Sequence, residues 1–329
     1  MAEGPRAGRC PPLSPGHPAA KSVIVATRSE PVVVGIDGAV RSLPAVRWAA
    51  HEAAATGREL RLVHAAAPAV VLASGRPVDP CPPGRPDVAR IATRAMFDEA
   101  AAVARATAPE VRIDERATAG MPVPVLLDAA RRAYLVVLGP HAASLSSDLT
   151  LGSVSAELLA RAPCPVAVVR AGQRGHALVE PPGPVVVGVD GSADSAAAAD
   201  FAAELAERHA VPLRLVTAWR MSRIPGSGTR TQQREPQEHI LAAIRTDVLR
   251  RHPRLDAQAE LAEGSPADVL VRQSLRARLL VVGCRGHGAA VGLLLGSVSQ
   301  TIARTAYCPV AVHHRPAAPP APAGAANPV

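Results

Sequence analysis

A chain of 329 residues, 48% of them apolar, is long enough to bury two cores and too apolar to stay unfolded. Its formal charge of +8 is spread along the whole length, Lys21 is its lone lysine and aromatics make up only 2%, so neither a basic face nor a stacking platform for nucleic acid is expected. The five cysteines, Cys10, Cys81, Cys164, Cys284 and Cys308, lie far apart without a CxxC pair, which speaks against a structural zinc site or a disulfide framework.

Residues 1–30 are rich in Pro, Gly and Ala without a sustained period and read as a disordered extension. They lack the apolar stretch of a signal peptide, and no apolar run reaches membrane-spanning length, so a cytoplasmic protein with no membrane partner is expected. Structure begins at Pro31. "VVVGIDG" at Val32 to Gly38 is answered by "VVVGVDG" at Val185 to Gly191, and "APCPVAVV" at Ala162 to Val169 by "AYCPVAVH" at Ala306 to His313. The chain is a tandem repeat. Its units are expected at 31–170 and 185–314, joined by a Pro/Gly-rich linker at 171–184 and followed by a disordered tail at 315–329.

Strand-like and helix-like runs alternate in each copy, which predicts an α/β fold with a parallel sheet. In the first copy strands are expected near Val32–Ile36, Leu60–His64, Val111–Thr118, Leu135–Leu138 and Val166–Val169. Helices are expected near Pro44–Thr56, Val88–Thr107, Val123–Arg132 and Val154–Arg161. The second copy repeats this with strands near Val185–Val189, Leu213–Thr217, Ala257–Ala262, Leu279–Val282 and Val310–His313, and helices near Ser195–His209, Gln237–Arg251, Pro266–Arg276 and Val298–Thr305. Ala66–Pro86 and Arg220–Pro236, loaded with Pro, Gly and polar residues, read as loops.

The last apolar run before the close of the second copy empties into Gly283-Cys284-Arg285-Gly286, then nine residues, then Gly296-Ser297, with Ser297 expected as a helix N-cap. A strand, a glycine loop and a helix start form a phosphate-binding arrangement, because glycines let the backbone approach the anion and the helix N-terminus offers free N–H groups. A glycine-rich connection serving only a tight turn is the plainer alternative.

These residues resemble the universal stress protein family, and the similarity runs through both copies from about Pro31 to His314. It rests on the "GVDGS" strand ending, the Gly-two-Gly-nine-Gly-Ser spacing of the ATP-binding members, and the closing "CPV" strand. The resemblance implies two Rossmann-like modules, each a five-stranded parallel sheet in the order 3-2-1-4-5 with helices on both faces, and pairing of modules through edge strands. It also implies ATP in the crevice between strands one and four. Gly283, Gly286, Gly296 and Ser297 then look like the phosphate and ribose contacts, and Asp190 like the acid that meets the adenosine portion. A sheet that reverses between those strands would bring Asp190 beside Gly283. The alternative for Asp190 is a turn or capping role before Gly191-Ser192. Arg285 and His287 lie in the same loop and could reach phosphate oxygens or stand in solvent.

The first copy departs from the pattern. Gly139 and Gly152-Ser153 are kept, but Pro140 removes an N–H, Ala142 replaces the second glycine, and Asp148 adds a negative charge. Weak or no nucleotide binding is expected there, with Asp37 a relic. No Walker lysine, GxSxG elbow, HExxH or metal-ligand cluster is found, and Ser299, His287 and Asp190 suit capping and solvation better than a catalytic triad. The chain is therefore read as a binding module, not an enzyme, although weak ATPase activity would need only Mg²⁺ and a water. Cys284, close to a helix start, has two readings: a thiol of lowered pKa, or a small residue filling the loop.

The expected function is ATP-dependent regulation in stress response, with a nucleotide-free interaction scaffold as the alternative. The expected partners are adenine nucleotide and the other module of the same chain, through Val166–Val169 and Val310–His313. Other faces stay open to a homodimer. A proline at Ala311 is expected to loosen the two halves.

Overall fold

The computed structural model describes residues 30–66, 88–139, 151–170, 183–221, 229–286 and 295–314. All but the last residue of the expected extension, nearly all of the linker, the tail, and the first expected loop apart from Ala66, which ends a strand, fall outside these residues. Among them no helix is long and apolar enough to cross a membrane.

The chain runs β1 (Val32–Gly35), α1 (Leu43–Thr56), β2 (Leu60–Ala66), α2 (Val88–Thr107), β3 (Ile113–Ala119), α3 (Pro122–Ala130), β4 (Leu135–Leu138), α4 (Ser153–Arg161) and β5 (Val166–Val168). The second half repeats it as β6 (Val185–Gly188), α5 (Ala193–Arg208), β7 (Leu213–Trp219), α6 (Arg230–Arg251), β8 (Ala257–Glu263), α7 (Pro266–Ser274), β9 (Leu279–Gly283), α8 (Ser297–Thr305) and β10 (Val310–His313). All ten strands form one sheet in the order β3-β2-β1-β4-β5-β10-β9-β6-β7-β8. Pairing within each half is parallel, and the halves meet antiparallel at β5 and β10.

The central strands are unbroken apolar runs because both of their faces are buried. Val32 and Val34 of β1, with Val185 and Val187 of β6, belong to the layer under the alanine faces of α1 and α5, where Ala49, Ala53, Ala202 and Ala206 let the helices lie close. Val33 points the other way, into a layer built from Leu126, Leu158, Leu159, Leu270 and Ile302 of α3, α4, α7 and α8. Both layers run without a break across the two halves.

The copies differ where a helix start gains or loses its cap. Ser192 caps α5 by accepting from the Ser195 N–H at 3.2 Å. Its counterpart Ala39 has no such oxygen, and there the chain makes a single 3₁₀ turn, Val40–Ser42, before α1 begins at Leu43. A side-chain cap is worth about 1 kcal/mol, enough to decide whether a first turn is α or 3₁₀.

One expected loop is corrected. Of Arg220–Pro236, residues 222–228 are outside the described chain, but α6 already starts at Arg230 and passes through Pro236. A capping box holds that start: Thr229 accepts from Gln232 N–H while the Gln232 side chain accepts from Thr229 N–H at 2.8 Å. Arg230 adds an ion pair with Glu263 of the neighbouring strand β8. Pro236 lacks the N–H that would bond one turn back, and the cap and ion pair at the helix start support the turn around it.

At the seam Val310, Ala311 and Val312 face Val168, Ala167 and Val166. Leu280 N–H donates to Pro309 O at 3.0 Å and Cys284 N–H to His313 O at 2.9 Å, so residues 309, 311 and 313 turn their peptide groups toward β9. Alternation leaves Val310 and Val312 to bond across the seam. The expectation for Ala311 is corrected accordingly: a proline there would break β9–β10 inside the second half.

Side chains reinforce the junction. His314 bonds the Leu159 carbonyl of α4 at 2.8 Å, and Arg170 donates to the Arg304 carbonyl of α8. Glu52, 2% exposed, meets Nε2 of His209 at 2.8 Å, while Nδ1 of His209 faces Arg278 at 3.0 Å. Because Arg278 can only donate, Nδ1 accepts, and the neutral ring donates from Nε2 to Glu52. His313 packs on Phe201 at 5.4 Å, and burial pushes its pKa down to about 4.

Val312→Pro should therefore weaken the seam where Ala311→Pro does not act on it directly. With a protease site introduced between residues 171 and 182, the cleaved native halves should co-elute on size exclusion. The cleaved Val312→Pro halves should separate, and co-elution of both would show that the seam hydrogen bonds are not what joins them.

Candidate functional site

β6 lies between β7 and β9, so the loops leaving β6 and β9 open on the same crevice. All five candidate residues, Asp190, Gly283, Gly286, Gly296 and Ser297, line a single cavity of about 310 Å³ there. Val216, Ala218 and Leu270 supply much of its apolar wall.

Asp190 fills both roles weighed for it. Its Oδ1 accepts from the Ser192 N–H at 3.0 Å and hydroxyl at 2.6 Å, the turn role, while the residue also lines the cavity. A Cβ built on Gly286 would stand 2.3 Å from Asp190 Oδ2, so the glycine loop lies directly on this carboxylate. Gly283 is required for a different reason. A Cβ there would come within 2.9 Å of the Asp194 carbonyl carbon, since the first turn of α5 crosses the end of β9.

Ser297 is not the N-cap of α8. That position is Gly296, with extended backbone (φ −68°, ψ 148°), and Ser297 is the first helical residue. Glycine offers no capping oxygen, whereas Ser192, Thr229 and Ser265 cap α5, α6 and α7 of the same half. Among the described residues no side chain caps the start of α8, and Gly296 to Ser299 form part of the cavity wall. Ser299 is buried and donates to the Gly283 carbonyl at 2.7 Å, a structural bond and not a nucleophile's.

Asp194 is the residue that sequence reasoning missed. It stands in the first turn of α5, accepts from the Cys284 thiol at 3.2 Å and pairs with Arg285 at 3.4 Å. An acid in a first helical turn was the available signal, but it usually means only dipole compensation. Burial, then the bond to Asp194, pushes the Cys284 thiol up to about 11. The lowered-pKa reading of Cys284 is thereby corrected: desolvation and a neighbouring carboxylate outweigh the nearby helix start. His287 lies outside the described residues.

The universal stress protein family model matches residues 29–170 and again 183–314. This chain belongs to that family. A universal stress protein of Mycobacterium tuberculosis is 36% identical over 290 residues, covering 85% of this chain and 95% of the relative. Another of the same species is 34% identical over 297 residues, covering 85% and 96%. The crystal structure of a universal stress protein from Archaeoglobus fulgidus, 17% identical, shares the fold with a TM-score of 0.61 over 88% of this chain and 99% of that one.

In this tandem universal stress protein the first module has a cavity of nearly the same size, about 300 Å³, including Asp37 and Gly139. Pro140, Ala142 and Asp148 lie outside the described residues. Among the described residues no cluster of three or more His, Cys, Asp or Glu is placed to hold a metal ion.

Two outcomes follow from the geometry. Gly283→Ala should lower the melting temperature, by the on-the-order-of 1–3 kcal/mol typical of overpacking, because α5 backbone must move. Gly286→Ala displaces only the Asp190 carboxylate or the loop and should melt closer to the native protein; equal melting shifts would contradict this division. In a chain whose Cys10 and Cys81 are serine, Cys284 should react with thiol reagents at pH 7.5 roughly a hundredfold more slowly than an unperturbed thiol, following its thiolate fraction. Asp194→Asn should speed it.

Proposed function

We propose that this universal stress protein binds ATP in its second module and acts as a nucleotide-dependent regulatory module rather than an enzyme. The observation that carries the reading is the start of α8, which no described side chain caps, opening into a cavity that Asp190 and the Gly283–Gly286 loop also line. α4 of the first module starts the same way at Gly152, and the intact glycine spacing favours the second module. Free N–H groups and the positive end of a helix favour phosphate. In this reading Gly283 and Gly286 bring backbone close to the phosphates, Ser297 and Gly296 hold them at the helix start, and Asp190 accepts from ribose hydroxyls or the exocyclic amine. Arg285, its charge partly matched by Asp194, stands at the same mouth.

Magnesium would arrive as the counter-ion of the nucleotide. Among the described lining residues Asp190 is the one carboxylate, with the hydroxyls of Ser195, Ser297 and Ser299 beside it, a poor all-protein cage, so the phosphates would carry most of its coordination. Units at 31–170 and 185–314, a cytoplasmic location, and faces left over for a homodimer belong to the same reading.

One observation favours the scaffold alternative. Gly283 and Gly286 each have a reason within the protein to be glycine, the α5 backbone and the Asp190 carboxylate. ATP titration of the full chain separates the two readings. One site per chain is expected, lost in Gly286→Val, with ATP raising the melting temperature of the native chain by mass action and not that of the variant. No binding would favour the scaffold. Two equal sites would overturn the assignment to the second module.

A further inference from the structure

The start of the glycine loop in the second module rests on one residue. Asp194, in the first turn of α5, offers a single oxygen, Oδ2, to two neighbouring loop side chains. It accepts from the Cys284 thiol at 3.2 Å and lies 3.4 Å from Nε of Arg285. The backbone closes the same contact, since a Cβ on Gly283 would come within 3.0 Å of the Asp194 carbonyl oxygen. Three consecutive loop residues are thus seated on one acid.

The paired side chains differ in their surroundings. That of Asp194 is 14% exposed and that of Arg285 56%. Asp194 stays out of the cavity wall, while Arg285 is part of it and is the one cation among the described lining residues. The closest approach is through Nε, and the two terminal nitrogens carry the other four N–H donors. Among the described residues no second carboxylate pairs with Arg285. An acid this close to an anion loop needs a reason, because by charge alone it would repel a phosphate. It is not needed as a cap, since Ser192 already caps α5. In the first copy the repeat has Arg41 and His141 at the positions of Asp194 and Arg285, so the acid–arginine pair belongs to the second copy.

We infer that Asp194 is a positioning residue for the phosphates, holding Arg285 by Nε so that the terminal nitrogens of the guanidinium meet phosphate oxygens at the cavity mouth. The inference rests on the reading of the second cavity as an ATP site. A guanidinium held on one side presents a fixed pair of donors to a phosphate. A long, exposed arginine otherwise loses its rotamer freedom at the moment of binding, and the contact with Asp194 lowers that cost in advance. Arg285 supplies the charge and Asp194 supplies its place. The sign is opposite to simple repulsion: removing a negative charge weakens the binding of a negative ligand.

The test is calorimetric titration of the full chain with ATP, in native form and as Asp194→Ala, Arg285→Ala and the double variant. Arg285→Ala should weaken ATP by about tenfold or more, the effect of losing a charge-assisted contact. Asp194→Ala should weaken it by about threefold to tenfold, the effect of leaving one long side chain to be ordered on binding. In the Arg285→Ala background the same change should add nothing. Asp194→Glu, which retains the carboxylate, should recover part of the loss. Should Asp194→Ala melt early, Asp194→Asn takes its place in the cycle with the same expected signs. Tighter ATP binding on removal of the acid would overturn the inference in favour of repulsion. A lower melting temperature with unchanged ATP affinity would overturn it in favour of a helix-dipole role. Equal weakening with and without Arg285 would do so in favour of general loop support. A native chain that binds no ATP overturns the site reading itself, an outcome distinct from native binding that the variants leave unchanged.

Discussion

Everything at the candidate site follows from one pairing constraint. β6 hydrogen-bonds to β7 on one side and to β9 on the other, so two chain segments nearly a hundred residues apart leave the sheet side by side. Parallel strands need long crossovers, and with α5 and α8 on opposite faces the loops part at this point and leave a crevice. The aspartate after β6 and the glycine loop after β9 have no other reason to meet. The first half repeats the constraint with β1 between β2 and β4, and it opens a crevice of nearly the same volume.

The same sheet also explains why the protein is one body. Each half alone would end at a short valine strand with unpaired peptide groups on its outer side, an edge open to any other strand. Joining β5 to β10 removes both edges at once. The outermost strands that remain, β3 and β8, carry Asp114, Glu115, Arg116, Glu260 and Glu263, the charged pattern that discourages further pairing. The buried Glu52–His209–Arg278 chain crosses the same junction. Breaking a buried polar chain costs more than forming it gains, so it acts on specificity of alignment more than on stability.

Much of this was legible in the residues. Duplicate strand-one and strand-five signatures identified the tandem repeat, continuous apolar runs identified doubly covered strands, and the glycine spacing singled out the residues that gather at the crevice. These signals are local and periodic, and the core enforces them residue by residue. Pro236 is a strong local breaker, so the sequence starts α6 too late, and only the capping box with the Arg230–Glu263 pair shows how the extra turns are held. Ser is the better local cap, so the sequence points to Ser297, yet Gly296 takes that place as its N–H bonds back to Cys284 at 2.8 Å.

What sequence determined by itself is therefore the repeat, the sheet-and-helix alternation, and which residues could bind an anion. Only the tertiary structure decided which peptide groups cross the seam, because that depends on the parity set by β9, a neighbour distant in the chain. It alone raised the Cys284 pKa, through burial first and then through Asp194, which arrives from a helix ninety residues away. It alone separated the reasons for two glycines three positions apart, one facing a helix backbone and the other a carboxylate. Such effects depend on which atoms meet across the fold, and no local pattern in the chain encodes those distances.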